Sequence, residues 1–191
     1  MGYRLIFFSL LCFALICQSV SSFFVHHLCS PSEAFALLKF KQSFEISSSP
    51  SRCYKASFPR TMLWNESTDC CTWNGVTCDM LTGYVIGLDL RCSYLHGTIH
   101  PNSSLFQLYH LQTLNLAYND FNWSSIPNDI GHLRNLNQLN LHGCDFSGPI
   151  PDSIGNLTQM RQLDFGDNHF IGHIPSTISK LKQLTLLNLC S

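Results

Sequence analysis

The apolar positions of this chain follow one recurring pattern. An apolar-polar-apolar triplet returns every 24 to 26 residues, its first apolar residue falling at Leu88, Leu114, Leu139, Leu163 and Leu187. In Leu114-Asn115-Leu116 the two leucines point to one side of an extended chain and the asparagine to the other, the period-two signature of a strand buried on one side. One such strand cannot hide its apolar side alone. Stacked in parallel with its copies it shares a continuous interior, so the pattern predicts a quasi-one-dimensional repeat architecture. Each buried leucine contributes roughly 1.5 to 3 kcal/mol, an upper figure because unfolded chains already hide some surface.

The rest of each repeat is also patterned. Three residues after the second apolar position come Ser93, Asn119, Cys144 and Asn168, where the chain must turn out of the strand. A side chain with both donor and acceptor can satisfy backbone groups left unpaired in such a bend, and a small thiol also fits there. Leu95, Phe121, Phe146 and Phe170 then supply the next core position. Gly97, Gly148 and Gly172 allow turn geometries that other residues resist, and Pro127, Pro151 and Pro175 each remove an amide donor.

The open end of a stack needs a cover, and the residues before Leu88 are suited to that. Ser30, Pro31 and Glu33 read as a helix start: a cap, a proline in the first turn and an acid three residues after the cap. Ala34, Leu37, Leu38, Phe40 and Phe44 share one broad side of that helix, with Lys39 and Ser43 opposite.

Residues 1–22 read as an export leader: Arg4 precedes an apolar run from Leu5 to Cys17, with small Ser19, Ser21 and Ser22 near the expected cleavage point. That run is shorter than the ~20 residues a bilayer requires, and no later stretch is longer, which predicts no transmembrane segment in this chain once the leader is removed. Export places the cysteines beyond Cys12 and Cys17 in an oxidising compartment, where disulfides persist. With a formal net charge of −1 and scattered charges, the chain has no basic stripe for phosphates, which argues against nucleic acid as a partner.

Two sets of residues carry a family resemblance. Phe146 to Pro151 and Phe170 to Pro175 resemble the L-x-G-x-I-P half of the plant-specific leucine-rich repeat, and Trp64 to Cys78, with Cys70-Cys71, W-x-G-V and Cys78, resembles the N-terminal cap of those proteins. The fold class this implies is α/β: a right-handed leucine-rich-repeat solenoid with short parallel strands on its concave face and a helical, disulfide-bonded cap. Its expected divisions are a signal peptide (1–22), a cap (23–84), and repeats over 85–191, four full and a fifth incomplete. The second repeat departs from the pattern, with Trp123 near the expected glycine, and the first has His100 where proline is expected; both predict irregular turns. The resemblance implies Cys29–Cys70 and Cys71–Cys78 disulfides. Cys53 and Cys92 remain, and a secreted setting favours their joining. Cys144 is expected as a buried thiol, and Cys190 has no assigned partner.

Leu88 to Ser93 and Asn102 to Leu108, with Cys53 and Tyr54, are similar to the start of plant receptor-like proteins of the tomato leaf-mould resistance receptor class. That resemblance implies immune perception of an extracellular protein or peptide ligand, of pathogen origin in that class. It also implies a co-receptor kinase as partner, and residence in the apoplast or, for a longer protein, at the plasma membrane. A secreted inhibitor of microbial pectin-degrading enzymes shares this kind of cap and repeat, and an inactive remnant is a third reading.

Positions between and beside the strand leucines are expected to face outward as the ligand-binding surface. They are Asp89, Arg91, Thr113, Asn115, Ala117, Tyr118, Gln138, Asn140, His142, Gln162, Asp164 and Asp167. Tyr118 is the large amphipathic anchor of the set. His142, read as lying among neutral polar neighbours, is expected to make affinity pH-sensitive, because imidazole is the side chain whose charge responds to mildly acidic fluid. Acceptor sequons at Asn65, Asn102, Asn122 and Asn156 fall outside the strands. No nucleophile elbow, zinc-binding helix pair or phosphate loop is present, which predicts neither enzyme nor cofactor. His26-His27-Leu28-Cys29 lacks metal-site spacing, and strand alternation sends His142 and Cys144 to opposite sides.

Overall fold

The computed structural model describes residues 28–47, 53 and 58–190; the expected export leader, 1–22, lies outside the described residues. A helix, α1 (Pro31–Gln42), opens the described chain and is followed by a short strand, β1 (Glu45–Ile46). A hairpin of β2 (Val76–Cys78) and β3 (Val85–Asp89) then leads into the repeats. Each later coil contributes one strand to the same sheet: β5 (Thr113–Asn115), β6 (Gln138–Asn140), β8 (Gln162–Asp164) and β10 (Leu186–Asn188). Three two-residue strands, β4 (Leu95–His96), β7 (Ser147–Gly148) and β9 (His169–Phe170), lie on the other side of the coils.

The main sheet runs β10-β8-β6-β5-β3-β2, and every pairing except the β2–β3 hairpin is parallel. Leu88, Leu114, Leu139, Leu163 and Leu187 are paired in direct register. The first four are essentially inaccessible, as are Leu90, Leu116 and Leu141 one strand-pleat further on. Behind the leucines runs an aromatic spine, with Phe40 against Phe44, Phe44 against Phe121 and Phe121 stacked on Phe146 at 4.7 Å. Each coil returns through a short 3₁₀ turn, such as Asn128–His132 after Pro127 and Asp152–Asn156 after Pro151.

The bends leaving the strands are held as their residue types require. Asn119 accepts from the amides of Ser93 and Leu95 and donates to the carbonyls of Leu90 and Leu116. Asn168 repeats this two coils on, accepting from Cys144 and Phe146 and donating to Leu141 and Phe165. The thiol of Cys144 is buried and points to the Leu116 carbonyl, 3.1 Å away. In the second coil Asn122 and Trp123 both adopt left-handed backbone, at φ 54° and 57°, and Trp123 stands where the neighbouring coils place Gly97 and Gly148.

The cap is joined to the solenoid by pairing as well as packing. β1 pairs antiparallel with β4, Ile46 opposite Leu95, and Ser104 donates its hydroxyl to the carbonyl of Ala36 in α1. Disulfides link Cys29 with Cys70, Cys71 with Cys78, and Cys53 with Cys92. The four cysteine sulfurs of the first two bridges lie within 4.8 Å of one another, a clustering that the pairings themselves account for. Glu33 differs from its expected role. Instead of reaching back to Ser30 as in a capping box, it is buried and accepts the Val85 amide at 2.9 Å, so its charge ties the helix to β3, the first of the parallel strands.

Candidate ligand-recognition face

The polar residue at the centre of each strand triplet does two jobs at once. Asp89, Asn115, Asn140, Asp164 and Asn188 each accept, through a side-chain oxygen, the backbone amide two residues ahead, at 2.9 to 3.1 Å. These are local side chain to backbone turns that close each strand. Asn115, Asn140 and Asp164 are therefore half-committed to the fold, while the remaining part of each head group faces out from the sheet.

Beyond the triplets the chain bends through left-handed residues at corresponding positions, Cys92, Tyr118, Gly143 and Asp167, with φ between 51° and 62°. Tyr118 gains its position from this bend and from its neighbour. A side chain at Gly143 would come within 2.9 Å of the Tyr118 ring, so only glycine lets that ring lie over the next coil. There Tyr118 meets His142 edge-on, with ring centroids 5.3 Å apart.

His142 is flanked at the same position of adjacent coils by Ala117 and Gly166. A β-carbon on Gly166 would fall 2.8 Å from His142 Nδ1, so the absence of a side chain there makes room for the imidazole. His142 Nδ1 lies 3.3 Å from a carboxylate oxygen of Asp164, which also accepts from Asn188 Nδ2 at 2.9 Å. The expectation of neutral surroundings for His142 is thus corrected: an acid stands beside it. Ala117 is corrected too, since it is buried rather than outward-facing. Thr113, Gln138 and Gln162, the first residues of their strands, are paired side by side at the entry edge of the face, and Arg91 and Asp167 are exposed beyond its exit.

Charge is graded along the face. At its cap end Arg60 donates to Asp89 at 2.8 Å and also to the Asp89 carbonyl. Toward the later coils Asp164 and Asp167 make it acidic. Arg60 was not anticipated; it belongs to the cap, where no repeat flags a residue as facing the sheet, and only the folded cap brings it to Asp89.

The sequons are segregated from this surface. Asn65, Asn102, Asn122 and Asn156 are all exposed, in the cap or in the turns outside the strands. Cys144 lies on the buried side of its strand, away from His142, so the two form no catalytic pair.

Comparison with known proteins agrees with this geometry. The family described as leucine rich repeat N-terminal domain matches residues 30–79, and the leucine rich repeat family matches residues 110–133, 135–157 and 159–181. A chain in the crystal structure of the BIR3–SERK2 complex from Arabidopsis thaliana is 34% identical and superposes with a TM-score of 0.68, covering 83% of this chain and 80% of that one. The chain belongs to the leucine-rich-repeat family. Within that family it is 46% identical over 129 residues to Receptor-like protein 6 of Arabidopsis thaliana, covering 64% of this chain and 13% of that protein. It is equally identical over 130 residues to Receptor-like protein Cf-9 of Solanum pimpinellifolium, covering 64% of this chain and 15% of the other. It thus spans a small share of the length of the curated relatives it matches. The matched repeats begin after the coil of Leu88, whose Cys92 and His100 depart from the repeat pattern.

Proposed function

We propose that this chain is the cap and first repeats of the extracellular recognition domain of a plant defence receptor-like protein, and that its concave face binds a protein or peptide ligand. The observation that carries the reading is the Tyr118-His142-Asp164 cluster. Its rings are placed by small residues at Gly143 and Gly166 and its acid is held by Asn188, so the cluster is ordered before any ligand arrives. Preorganised aromatic anchors lose little conformational entropy on binding and supply a large share of interface energy. The graded charge from Arg60 and Arg91 to Asp164 and Asp167 would orient a ligand along the solenoid axis.

Three disulfides support passage through the secretory pathway and an extracellular location. Among the described residues no helix is long and apolar enough to cross a membrane, so attachment at the plasma membrane would depend on chain outside them. Association with a co-receptor kinase is the partnership we assign to the longer protein, and the BIR3–SERK2 complex, one chain of which this chain resembles, is an assembly of two proteins.

The test uses a photo-crosslinking residue at Asn140, with a second at Asn156 as control, in extracellular fluid from pathogen-challenged leaves. A protein or peptide adduct is expected at Asn140 and absent at Asn156. Tyr118→Ala combined with His142→Ala should lower the affinity for that captured partner at least ~10-fold, since truncating a central anchor pair typically costs upward of 1.4 kcal/mol. Adducts of equal yield at the two positions, or unchanged affinity in the double variant, would remove the concave face as the binding surface.

A further inference from the structure

A second surface lies at the entry edge of the sheet, where the chain comes into each strand. It is a groove of about 650 Å³ running across successive coils, bordered at the cap end by the β2–β3 hairpin. Two rows of side chains line it. Gln112, Asn137 and Arg161 stand at one position of consecutive coils, and His110, Asn135 and Gln159 at another.

The groove is built rather than incidental. At its cap end Tyr84 and His110 stack face to face, centroids 3.9 Å apart and planes 7° from parallel, and His110 Nδ1 lies 3.7 Å from buried Glu33. The hairpin wall is locked by Asp79, which accepts from the Thr82 hydroxyl and the amides of Thr82 and Leu81. Those bonds, the Thr82 hydroxyl first, hold its carboxyl below the ordinary range, so its charge is occupied by the turn. Asn135 is pinned to the Tyr109 carbonyl and Gln159 to Gln183. The side chains of Gln112 and Asn137, and of Gln138 beside them, make no hydrogen bond among the described residues. Backbone groups along the floor are already paired between coils, as Asn137 N to Gln112 O and Arg161 N to Asn137 O.

What is left to bind with is a fixed aromatic plate followed by a series of carboxamides and one guanidinium. A carboxamide offers an acceptor and two donors in one plane, which suits neighbouring hydroxyls that both give and take hydrogen bonds. The rows repeat at the strand spacing, ~4.8 Å, whereas an extended peptide repeats at ~3.3 Å per residue and would drift out of step with them. A six-membered sugar ring has about the width of one such spacing. With the groove's acid engaged in the hairpin and a single arginine remaining, a neutral ligand fits better than a polyanion.

We infer that this groove is a binding site for a neutral oligosaccharide, lying along the solenoid axis with its rings over Gln112, Asn137 and Gln159 and its end unit beside the Tyr84–His110 plate. The site is distinct from the concave cluster of Tyr118 and His142, so either can fail without the other.

The experiment titrates the whole secreted chain with cellohexaose, mannohexaose and xylohexaose as neutral probes and with hexagalacturonate as the charged one, read by calorimetry and saturation-transfer NMR. At least one neutral hexasaccharide is expected to bind with Kd of about 1 mM or tighter. Gln112→Ala combined with Asn137→Ala should weaken it at least ~10-fold with an unchanged melting curve, since both side chains lack partners to lose. His142→Ala should leave the titration as in wild type. Absence of saturable binding by every neutral probe, or wild-type affinity in the Gln112/Asn137 double variant, overturns the assignment. Binding confined to hexagalacturonate and lost in Arg161→Gln overturns it equally, in favour of an acidic ligand.

Discussion

Replacing Asn119 with alanine is expected to destabilise the folded chain by about 3 to 5 kcal/mol, an effect matched among polar positions of the repeats by Asn168, which is bonded in the same way. One buried carboxamide satisfies two amides and two carbonyls, those of Ser93, Leu95, Leu90 and Leu116, which belong to two adjacent coils. Alanine would remove that partner from all four in an interior that water does not reach; the Ser93 amide and Leu90 carbonyl keep each other at 3.2 Å and the Leu116 carbonyl keeps the Cys144 thiol, but the Leu95 amide loses its acceptor, and an unsatisfied buried group costs about 1 to 3 kcal/mol on top of the lost bonds. Asn115→Ala is the matched comparison. Its side chain also closes a backbone turn, through one bond to the Ala117 amide, but the site is only half-buried and water can replace the lost acceptor, so the cost should be about 1 kcal/mol or less. Equilibrium denaturation in a Trp123→Phe background, followed both by far-ultraviolet circular dichroism and by tryptophan fluorescence, separates loss of the coils from loss of the cap, because the remaining Trp64 and Trp73, stacked at 5.2 Å, both belong to the cap. Equal costs for Asn119→Ala and Asn115→Ala would contradict the bend-holding role.

Removing the Cys29–Cys70 disulfide should be nearly as costly. The bridge spans a sequence separation of 41, against 7 for Cys71–Cys78. In the chain-entropy description, closing loops of those lengths restricts the unfolded chain by about 4 and about 2.5 kcal/mol respectively. Substituting both members of each pair with alanine should therefore rank the long bridge above the short one. It should also release α1 first, because Cys29 lies just before that helix and the opposite end of its bridge, Cys70, lies in the core of the cap. Denaturation midpoints with hydrogen exchange on the α1 amides would show both effects. A larger loss from the short bridge would mean that strain or residual structure outweighs loop closure.

The repeat itself was plain in the sequence because leucine spacing reports directly on stacking. The five predicted strand starts are the residues that pair in register, and the bend positions Asn119, Cys144 and Asn168 are buried where the pattern puts them. The disturbed second coil was legible for the same reason, since a tryptophan stands where glycine is required. Side-chain commitments were harder to see. Glu33 in a capping-box position looks identical in sequence whether it folds back to Ser30 or crosses to Val85, and the choice depends on a strand 52 residues away.

The recognition face shows the same limit. Alternation identifies which residues turn outward but not how deep they sit. Ala117 is too short to reach solvent between its neighbours, while His142 at the same position emerges because Gly166 and Ala117 leave space for it. Its acid neighbour comes from the next coil, one repeat away in sequence and adjacent only once the strands are paired. Asn115 and Asn140 read as binding residues on pattern alone, whereas the structure gives one oxygen of each to the backbone. Tyr118 was singled out for its chemistry, but its placement depends on a left-handed bend and on Gly143, neither of which residue type alone reveals.

The central claim, that the open sheet face is where a partner docks, can be tested with a single glycan. His142→Thr completes an acceptor sequence at Asn140, in the middle of the face, without altering the leucines on either side. The measurement is affinity for the partner captured by crosslinking, before and after enzymatic removal of the glycan, with wild type treated in parallel. Binding should be lost while the sugar is attached and return on its removal to the reduced affinity of a His142→Ala variant, which gains no sequon at Asn140, whereas wild type, whose sequons all lie away from the strands, should change little. Undiminished binding by the variant carrying a glycan at Asn140 would show that the partner approaches from elsewhere.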